Sequence, residues 1–426
     1  MNVLNRAEAP EAYKIEQVKL LKPELLTLAN GIPVYYINGG TEDVLRIEFQ
    51  FDAGNATSHK ALLANACNNL LTSGTPGRTS AQIVEEVDYY GAFFHNETGF
   101  DKASVSLYTL NKYLPQTLDI VRDALTATLF PEREVRTFAT NTAQRLQINM
   151  QKNDFVARRT FNKAVFGEHH VYGLTASPED CEVLSREELL AFYKKHYDFS
   201  TCVIIVSGRV GDAELKEIAS QFADIRFEVH EKPVGTPPPV YLPSVQYVEK
   251  PDALQSAIRI GRVLVNKTHP DYIDLQILNT VLGGYFGSRL MANIREDKGY
   301  TYGIGSGLAS LQSAGFFYIA TEVGTDVTAD AVKEIYKELE RLQREPVSGE
   351  ELELVRNYLM GTFLGSIENV FSYAEKFKSI FNYGLGYDYY DRYFESLKNM
   401  DALRLQKLAE QYLDASTLTE VIVGKK

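Results

Sequence analysis

The sequence predicts an α+β protein made of two homologous halves. Three observations carry that prediction: one order of strand and helix patterns runs through the chain twice, the two runs end in matching segments, and a proline-rich stretch lies between them. With 426 residues and 45% hydrophobic content, the chain has enough apolar material for more than one core.

The first run opens with LRIEFQFDAG (Leu45 to Gly54), where Leu45, Ile47, Phe49 and Phe51 alternate with polar residues as in a half-buried strand. A short helix containing NACNNLLTSGT, Asn65 to Thr75, follows. Thr79 and Gln82 then make a capping box for the next helix, which Gly91 ends. Ala103 to Leu110 is strand-like, and the helix LPQTLDIVRDAL carries proline in its first turn. Further helical segments reach about Tyr197, before the buried-strand pattern TCVIIVSG from Thr201 to Gly208.

The second run repeats the order. Ser256 to Val265 is its opening strand, YIDLQILNTVLGG its first helix, GFFYIATEVG a later strand and TADAVKEIYKELERLQRE the helix after it. Ser306 to Gly315 reads as a loop, because its glycines have no phosphate-loop spacing. HYDFSTCVIIVSG (His196 to Gly208) matches QYLDASTLTEVIVGK (Gln411 to Lys425), and their Ser-Thr pairs lie 216 residues apart. Duplication of one α+β domain is the economical account. The stretch EVHEKPVGTPPPVYLP (Glu228 to Pro243) denies backbone donors to regular structure. The expected domains are therefore residues 1–230 and 245–426, with a linker at 231–244.

Composition excludes some partners. The net charge is −12 and no Lys/Arg cluster exists to neutralise phosphates, so nucleic acid is not expected. No apolar run of about 18 residues predicts a membrane span, and the first twenty residues hold no apolar leader core. Cys67, Cys181 and Cys202 are odd in number and without C-x-x-C spacing, which predicts reduced thiols and a cytoplasmic protein.

Asn65, Asn68 and Asn69 stand at i, i+3 and i+4, so the helix points them one way. Asparagine is a poor helix former because its amide competes for nearby backbone groups. Three together suggest either a solvated face or a former active site.

Other motifs carry a resemblance. The A-G-N turn before a helix ending L-L-T-S-G-T, the later FGEHHVYG, and GGYFGSRLMANIREDKGYTYGIGSG (Gly283 to Gly307) resemble the pitrilysin/insulinase superfamily. The likeness covers essentially the whole chain and is to the short bacterial and mitochondrial processing peptidase-like branch. It implies two α/β-sandwich halves, each a mixed, mainly antiparallel sheet with helices packed on it. Catalytic members carry the inverted zinc motif H-x-x-E-H where this chain has N-A-C-N-N.

That substitution matters chemically. In the motif two imidazoles bind one zinc ion and the glutamate takes a proton from zinc-bound water. Asparagine is a weak neutral ligand and does not titrate near neutral pH. The family's further glutamate ligand falls near Gln144 and Arg145, and Val135 to Asn153 holds no acidic residue. His169 and His170 are adjacent, point about 100° apart on a helix, and make a poor metal clip. No metal or cofactor is expected in this chain. Zn2+ is expected in a partner subunit.

Arg295 and Tyr302 match the arginine-tyrosine pair that active relatives place beside the zinc. The phenol there donates to the oxygen on which charge develops, and the guanidinium fixes a substrate carbonyl or the tyrosine. Read from the residues alone, Arg295 instead pairs with Glu296 or Asp297 and Tyr302 begins a strand. GAFFHNETG (Gly91 to Gly99) stands where relatives place a strand that pairs with extended substrate, which implies Phe94, His95 and Asn96 in peptide binding, with Gly284 and Ser288 opposite. No G-x-S-x-G elbow offers another hydrolase mechanism, and Cys67 lacks a His-Asn arrangement.

Two functions follow from the resemblance. The first is a non-catalytic, peptide-binding subunit of a two-subunit zinc endopeptidase, inactive alone, that lends Arg295 and Tyr302 in trans to a homologous H-x-x-E-H chain. The second is an inactive homodimeric peptide-binding or structural core protein.

Overall fold

A computed structural model describes residues 18–227 and 236–425. The first sheet contains β1 (Glu24–Thr27), β2 (Pro33–Asn38), β3 (Val44–Phe51), β4 (Phe93–Thr98), β5 (Ala103–Leu110) and β6 (Val203–Gly208), in the order β1-β2-β6-β3-β5-β4. The second contains β7 (Val245–Glu249), β8 (Gln255–Leu264), β9 (Ile304–Ser310), β10 (Gly315–Gly324) and β11 (Thr419–Gly424), in the order β7-β11-β8-β10-β9. Without β1, the two orders are identical. Each sheet has one parallel pairing, β2 with β6 and β7 with β11, and is otherwise antiparallel. The duplication is thus visible in topology as well as sequence.

The first half carries α1 (Leu63–Leu70), α2 (Ser80–Tyr89), α3 (Leu114–Ala127), α4 (Glu132–Met150), α5 (Asn153–Phe166), α6 (Pro178–Glu182), α7 (Arg186–His196) and α8 (Asp212–Phe222). The second carries α9 (Tyr272–Asn279), α10 (Thr328–Arg344), α11 (Gly349–Gly365), α12 (Val370–Phe381), α13 (Asp388–Asn399) and α14 (Ala402–Tyr412). The expected capping box of α2 forms, with Thr79 and Gln82 each holding the other's backbone N–H. The Ser-Thr echo has a local cause. Asp198 and Asp414 each accept from the Ser N–H two residues on, and each following Thr hydroxyl donates back to that Asp carbonyl.

Helices of its own half cover one face of each sheet. Leu45, Ile47, Phe49 and Phe51 of β3 lie there against α1, α3, α7 and α8. β3 is not half-buried as its alternation predicts, because Arg46, Glu48 and Gln50 on its other face are buried as well. The covering element comes from the opposite half. α12 sets Val370, Ala374 and Phe377 on Ile37 and Ile205 of the first sheet. Reciprocally, α5 sets Val156, Ala157, Phe161 and Val165 on Ala257, Val421 and Val423 of the second. A Cβ at Gly261 would lie 2.9 Å from the Phe161 ring, so β8 admits this helix through a missing side chain.

Charge pairs follow the same exchange. Arg259 of β8 meets Asp154 of α5 at 2.8 Å, while Arg46 of β3 meets Glu375 of α12 and Lys378 reaches Glu48 at 3.0 Å. Arg46 also pairs with Glu48. A further link joins the halves at Tyr172, whose hydroxyl donates to Asp101 Oδ1 at 2.6 Å, while Asp101 Oδ2 accepts from the Gln312 N–H at 2.9 Å.

Ser306 to Ser310 is not loop but part of β9, and only the turn closed by Leu311 N–H on Ala314 O is irregular. Gly307 faces Tyr318 across the ladder and a Cβ there would meet its ring at 2.7 Å, so the glycine makes room for a cross-strand aromatic. Residues 231–235 of the expected linker lie outside the described residues. Farther along it, the Tyr241 hydroxyl donates to Thr417 O at 2.8 Å. Among the described residues no helix is long and apolar enough to cross a membrane.

Candidate functional site

The three asparagines of α1 do not share one environment. Asn69 is exposed, Asn65 is half-buried and Asn68 is fully buried at 0%. Neighbouring positions on a helix project about 100° apart, and the boundary of burial passes between 68 and 69. Asn68 Nδ2 lies 2.9 Å from Glu97 O, 3.1 Å from Thr98 Oγ1 and 3.2 Å from Ser104 O, so it ties α1 to β4 and β5. Its Oδ1 accepts from the Tyr197 hydroxyl at 3.0 Å, and its carbonyl accepts from Asn96 Nδ2 at 2.8 Å. Asn69 Nδ2 donates to Asn65 O at 2.8 Å, within the helix. The sequence expectation of one shared face therefore fails, because tertiary packing gives Asn68 a separate structural task.

These donors do not suit zinc. Asn68 is committed inward at both ends of its amide, and Gln144 and Arg145 on α4 supply no carboxylate. Among the described residues no three His, Cys, Asp or Glu side chains gather as a metal-binding group. His170 is occupied structurally: its Nδ1 accepts from Tyr172 N–H at 3.2 Å, and Nε2 lies 2.9 Å from Pro237 O. Cys67, Cys181 and Cys202 are free and buried, and burial pushes the Cys67 and Cys202 thiols far above their usual range. They are not poised nucleophiles.

The segment from Gly283 to Tyr302 is held from beneath. Thr280–Gly284 and Met291–Asp297 wind as wider π-helix, a departure that often marks functional segments. A Cβ at Gly283 would meet Ser306 Oγ at 2.6 Å, so this glycine brings the winding close to β9. Arg289 clamps it to α11 through a two-pronged pair with Glu351, at 2.8 and 2.9 Å. Ser288 is 1% exposed, and this burial removes its side chain from the expected peptide-contacting surface. Gly284 is half-buried, and a Cβ there would be 3.2 Å from Asn279 and Thr280.

Arg295 and Tyr302 face outward. The Arg295 guanidinium lies 4.4 Å from the centre of the Phe286 ring, and its contact with Glu296 is 3.9 Å, too long for a strong pair at an exposed site. Tyr302 is 95% exposed, whereas Tyr300 packs against the core of its half. Between them Thr301 donates its hydroxyl to Glu322 O at 2.7 Å, which anchors the segment to β10. Phe286, 62% exposed, is the member of this surface that motif spacing did not single out.

β4 is the last strand of its sheet, with an outer backbone edge that no strand among the described residues pairs. Phe94 packs toward the core and Asn96 toward α1, while His95 is exposed on the other face. Phe93 stacks on Tyr108 with ring centres 4.4 Å apart, which braces the edge.

Comparison with known proteins fits this geometry. Residues 34–179 match the model of the insulinase family (peptidase family M16), and residues 184–359 match that of the peptidase M16 inactive domain. The chain belongs to the peptidase M16 family. It is 23% identical over 348 residues to the uncharacterized zinc protease YmxG of Bacillus subtilis, covering 80% of this chain and 84% of that one. A Rickettsia bellii zinc protease is 24% identical over 381 residues, covering 84% and 87%. The crystal structure of a protease from Helicobacter pylori superposes with a TM-score of 0.86 at 18% identity, over 95% of this chain and all of that one. A peptidase M16 inactive domain from Pseudomonas fluorescens gives 0.85 at 20% identity, over 95% and 98%. Within the M16 family this chain is a non-catalytic member: the helix where catalytic relatives carry H-x-x-E-H here reads N-A-C-N-N.

Proposed function

We propose that this M16 protein is the peptide-binding, non-catalytic subunit of a two-subunit zinc endopeptidase. The observation that carries the proposal is the outward display of Tyr302, seven residues after an Arg295 whose contact with Glu296 is a long 3.9 Å. The helix that carries H-x-x-E-H in catalytic relatives reads N-A-C-N-N here, so this reading assigns the pair to a metal held by a partner. A homologous partner with H-x-x-E-H would supply the metal, which polarises the scissile carbonyl and activates water.

In that complex Tyr302 donates its phenolic hydrogen bond to the oxygen gaining charge, and Arg295 orients a peptide carbonyl. The free edge of β4 adds an extended peptide by backbone hydrogen bonds, which makes binding largely independent of sequence. Phe286, against Arg295, supplies an apolar surface for the partner or substrate.

The test is recovery of the tagged chain from its source cells, then zinc content and peptide cleavage of the recovered complex and of the chain alone. An H-x-x-E-H partner whose cleavage falls on Tyr302→Phe or Arg295→Ala is the expected result. Stoichiometric zinc and cleavage in the chain alone would overturn the proposal. Recovery only as an inert homodimer would favour a binding or structural protein instead.

A further inference from the structure

In the second half, a cavity of about 310 Å3 opens between α9, α11, α12 and α13. Its walls include neither Arg295 nor Tyr302. Two ammonium groups enter it, Lys267 and Lys376, and no Asp or Glu lines it. Lys267 donates to Ser379 O at 2.9 Å and lies 5.3 and 5.8 Å from the rings of Tyr383 and Tyr389. That placement explains Lys267 in part as a cap on the carbonyl end of α12.

Lys376 has no such explanation. Among the described residues its Nζ has no hydrogen-bond acceptor, only the Phe363 ring 4.7 Å away. Partly buried cations are ordinarily paired, because removing an ammonium from water is costly. Burial lowers both lysines, and the proximity of Lys376 adds to the lowering of Lys267, which falls to about 8. The same wall holds Asn279, whose buried Oδ1 has no donor. Tyr389, Tyr390 and Tyr393 form an aromatic side to the cavity.

We propose that this cavity binds a small organic carboxylate with a flat apolar body, its anion held by Lys376 and Lys267 and its body against the tyrosines. The volume lies at the lower end of small-molecule sites, which suits a ligand of one ring rather than a nucleotide. An anion supplies the missing countercharge for Lys376.

The full chain would be titrated calorimetrically with 4-hydroxybenzoate, with 4-hydroxybenzamide as its neutral twin and inorganic phosphate as an anion without the ring. Saturable binding of the carboxylate is expected, about tenfold or more tighter than either control. Near pH 8, where Lys267 is partly deprotonated, binding should take up protons, an uptake that vanishes toward pH 6. Lys376→Gln should weaken binding at least about tenfold, and Lys376→Arg should largely retain it. No saturation at millimolar carboxylate would overturn the proposal. So would equal binding of the neutral twin or of phosphate, or unchanged affinity in a folded Lys376→Gln variant.

Discussion

The Tyr197 hydroxyl donates to Asn68 Oδ1 at 3.0 Å, joining the end of α7 to the middle of α1 where both side chains are buried. This contact turns a position in the altered motif into a support for the sheet. Removing the amide would leave the buried Tyr197 hydroxyl without its acceptor and untie α1 from β4 and β5. Asn68→Ala is expected to cost about 2–4 kcal/mol. Denaturant unfolding reads that loss, and a change under about 0.5 kcal/mol would mean that water replaces the amide at no cost.

Restoring the motif residues should not restore the metal. A variant carrying Asn65→His, Asn68→Glu and Asn69→His still has Gln144 and Arg145 where a carboxylate is needed, and its new glutamate enters the site of the buried amide. The variant is expected to be less stable and to hold no stoichiometric zinc after dialysis. Tight one-to-one zinc by elemental analysis would show that the ligand set is more complete than the geometry indicates.

Tyr302→Phe should leave stability within about 0.5 kcal/mol of the parent, since the side chain is almost fully exposed. In the recovered complex it should lower peptide cleavage about 100-fold through kcat, as expected for a donor to developing charge. A change confined to KM would place Tyr302 in binding instead.

The charge cluster between α12 and β3 predicts a pH dependence. Burial pushes the Glu375 carboxyl up, but Lys378 and Arg46 pull it further down, so its folded value is depressed. Its stabilisation is present above the unfolded value of about 4.3 and disappears as pH falls through the lower folded one. Lys378 is held above its usual range because Glu48 and Glu375 outweigh burial, so its contribution is present below about pH 10.4 and is lost in stronger alkali. Stability measured from pH 3 to 7 should fall less steeply toward acid in Glu375→Gln. Parallel curves would dissociate this cluster from acid unfolding.

The exchanged helices make a spatially inverted prediction. Phe161 belongs to the first half yet packs on the second sheet, and Phe377 does the reverse. Phe161→Ala should cost about 3–5 kcal/mol and speed hydrogen exchange in β8 and β11. Phe377→Ala should do so in β2 and β6. Exchange confined to the half that carries the mutation would contradict the packing.

Much of this could be read from short windows. The period of β3, the capping box of α2 and the Ser-Thr turns after α7 and α14 are local in sequence, and each is in place. β9 was harder to recognise, because Gly305 and Gly307 look like loop until Tyr318 is known to lie across them. The exchanged helices had a faint signature. Asn153 and Asn369, at the starts of α5 and α12, and Phe161 and Phe377 within them, are 216 residues apart, the spacing of the Ser-Thr echo.

The sequence by itself determined the duplication, the local elements and the side chains available for chemistry, because period, capping and donor type belong to the residues themselves. Only the tertiary structure decided that Asn68 turns inward while Asn69 meets solvent, that Tyr302 rather than Tyr300 is displayed, and that each half covers the other's sheet. Those outcomes depend on which distant surface buries a given face, and a local pattern shows that a face is apolar without naming the surface that will cover it.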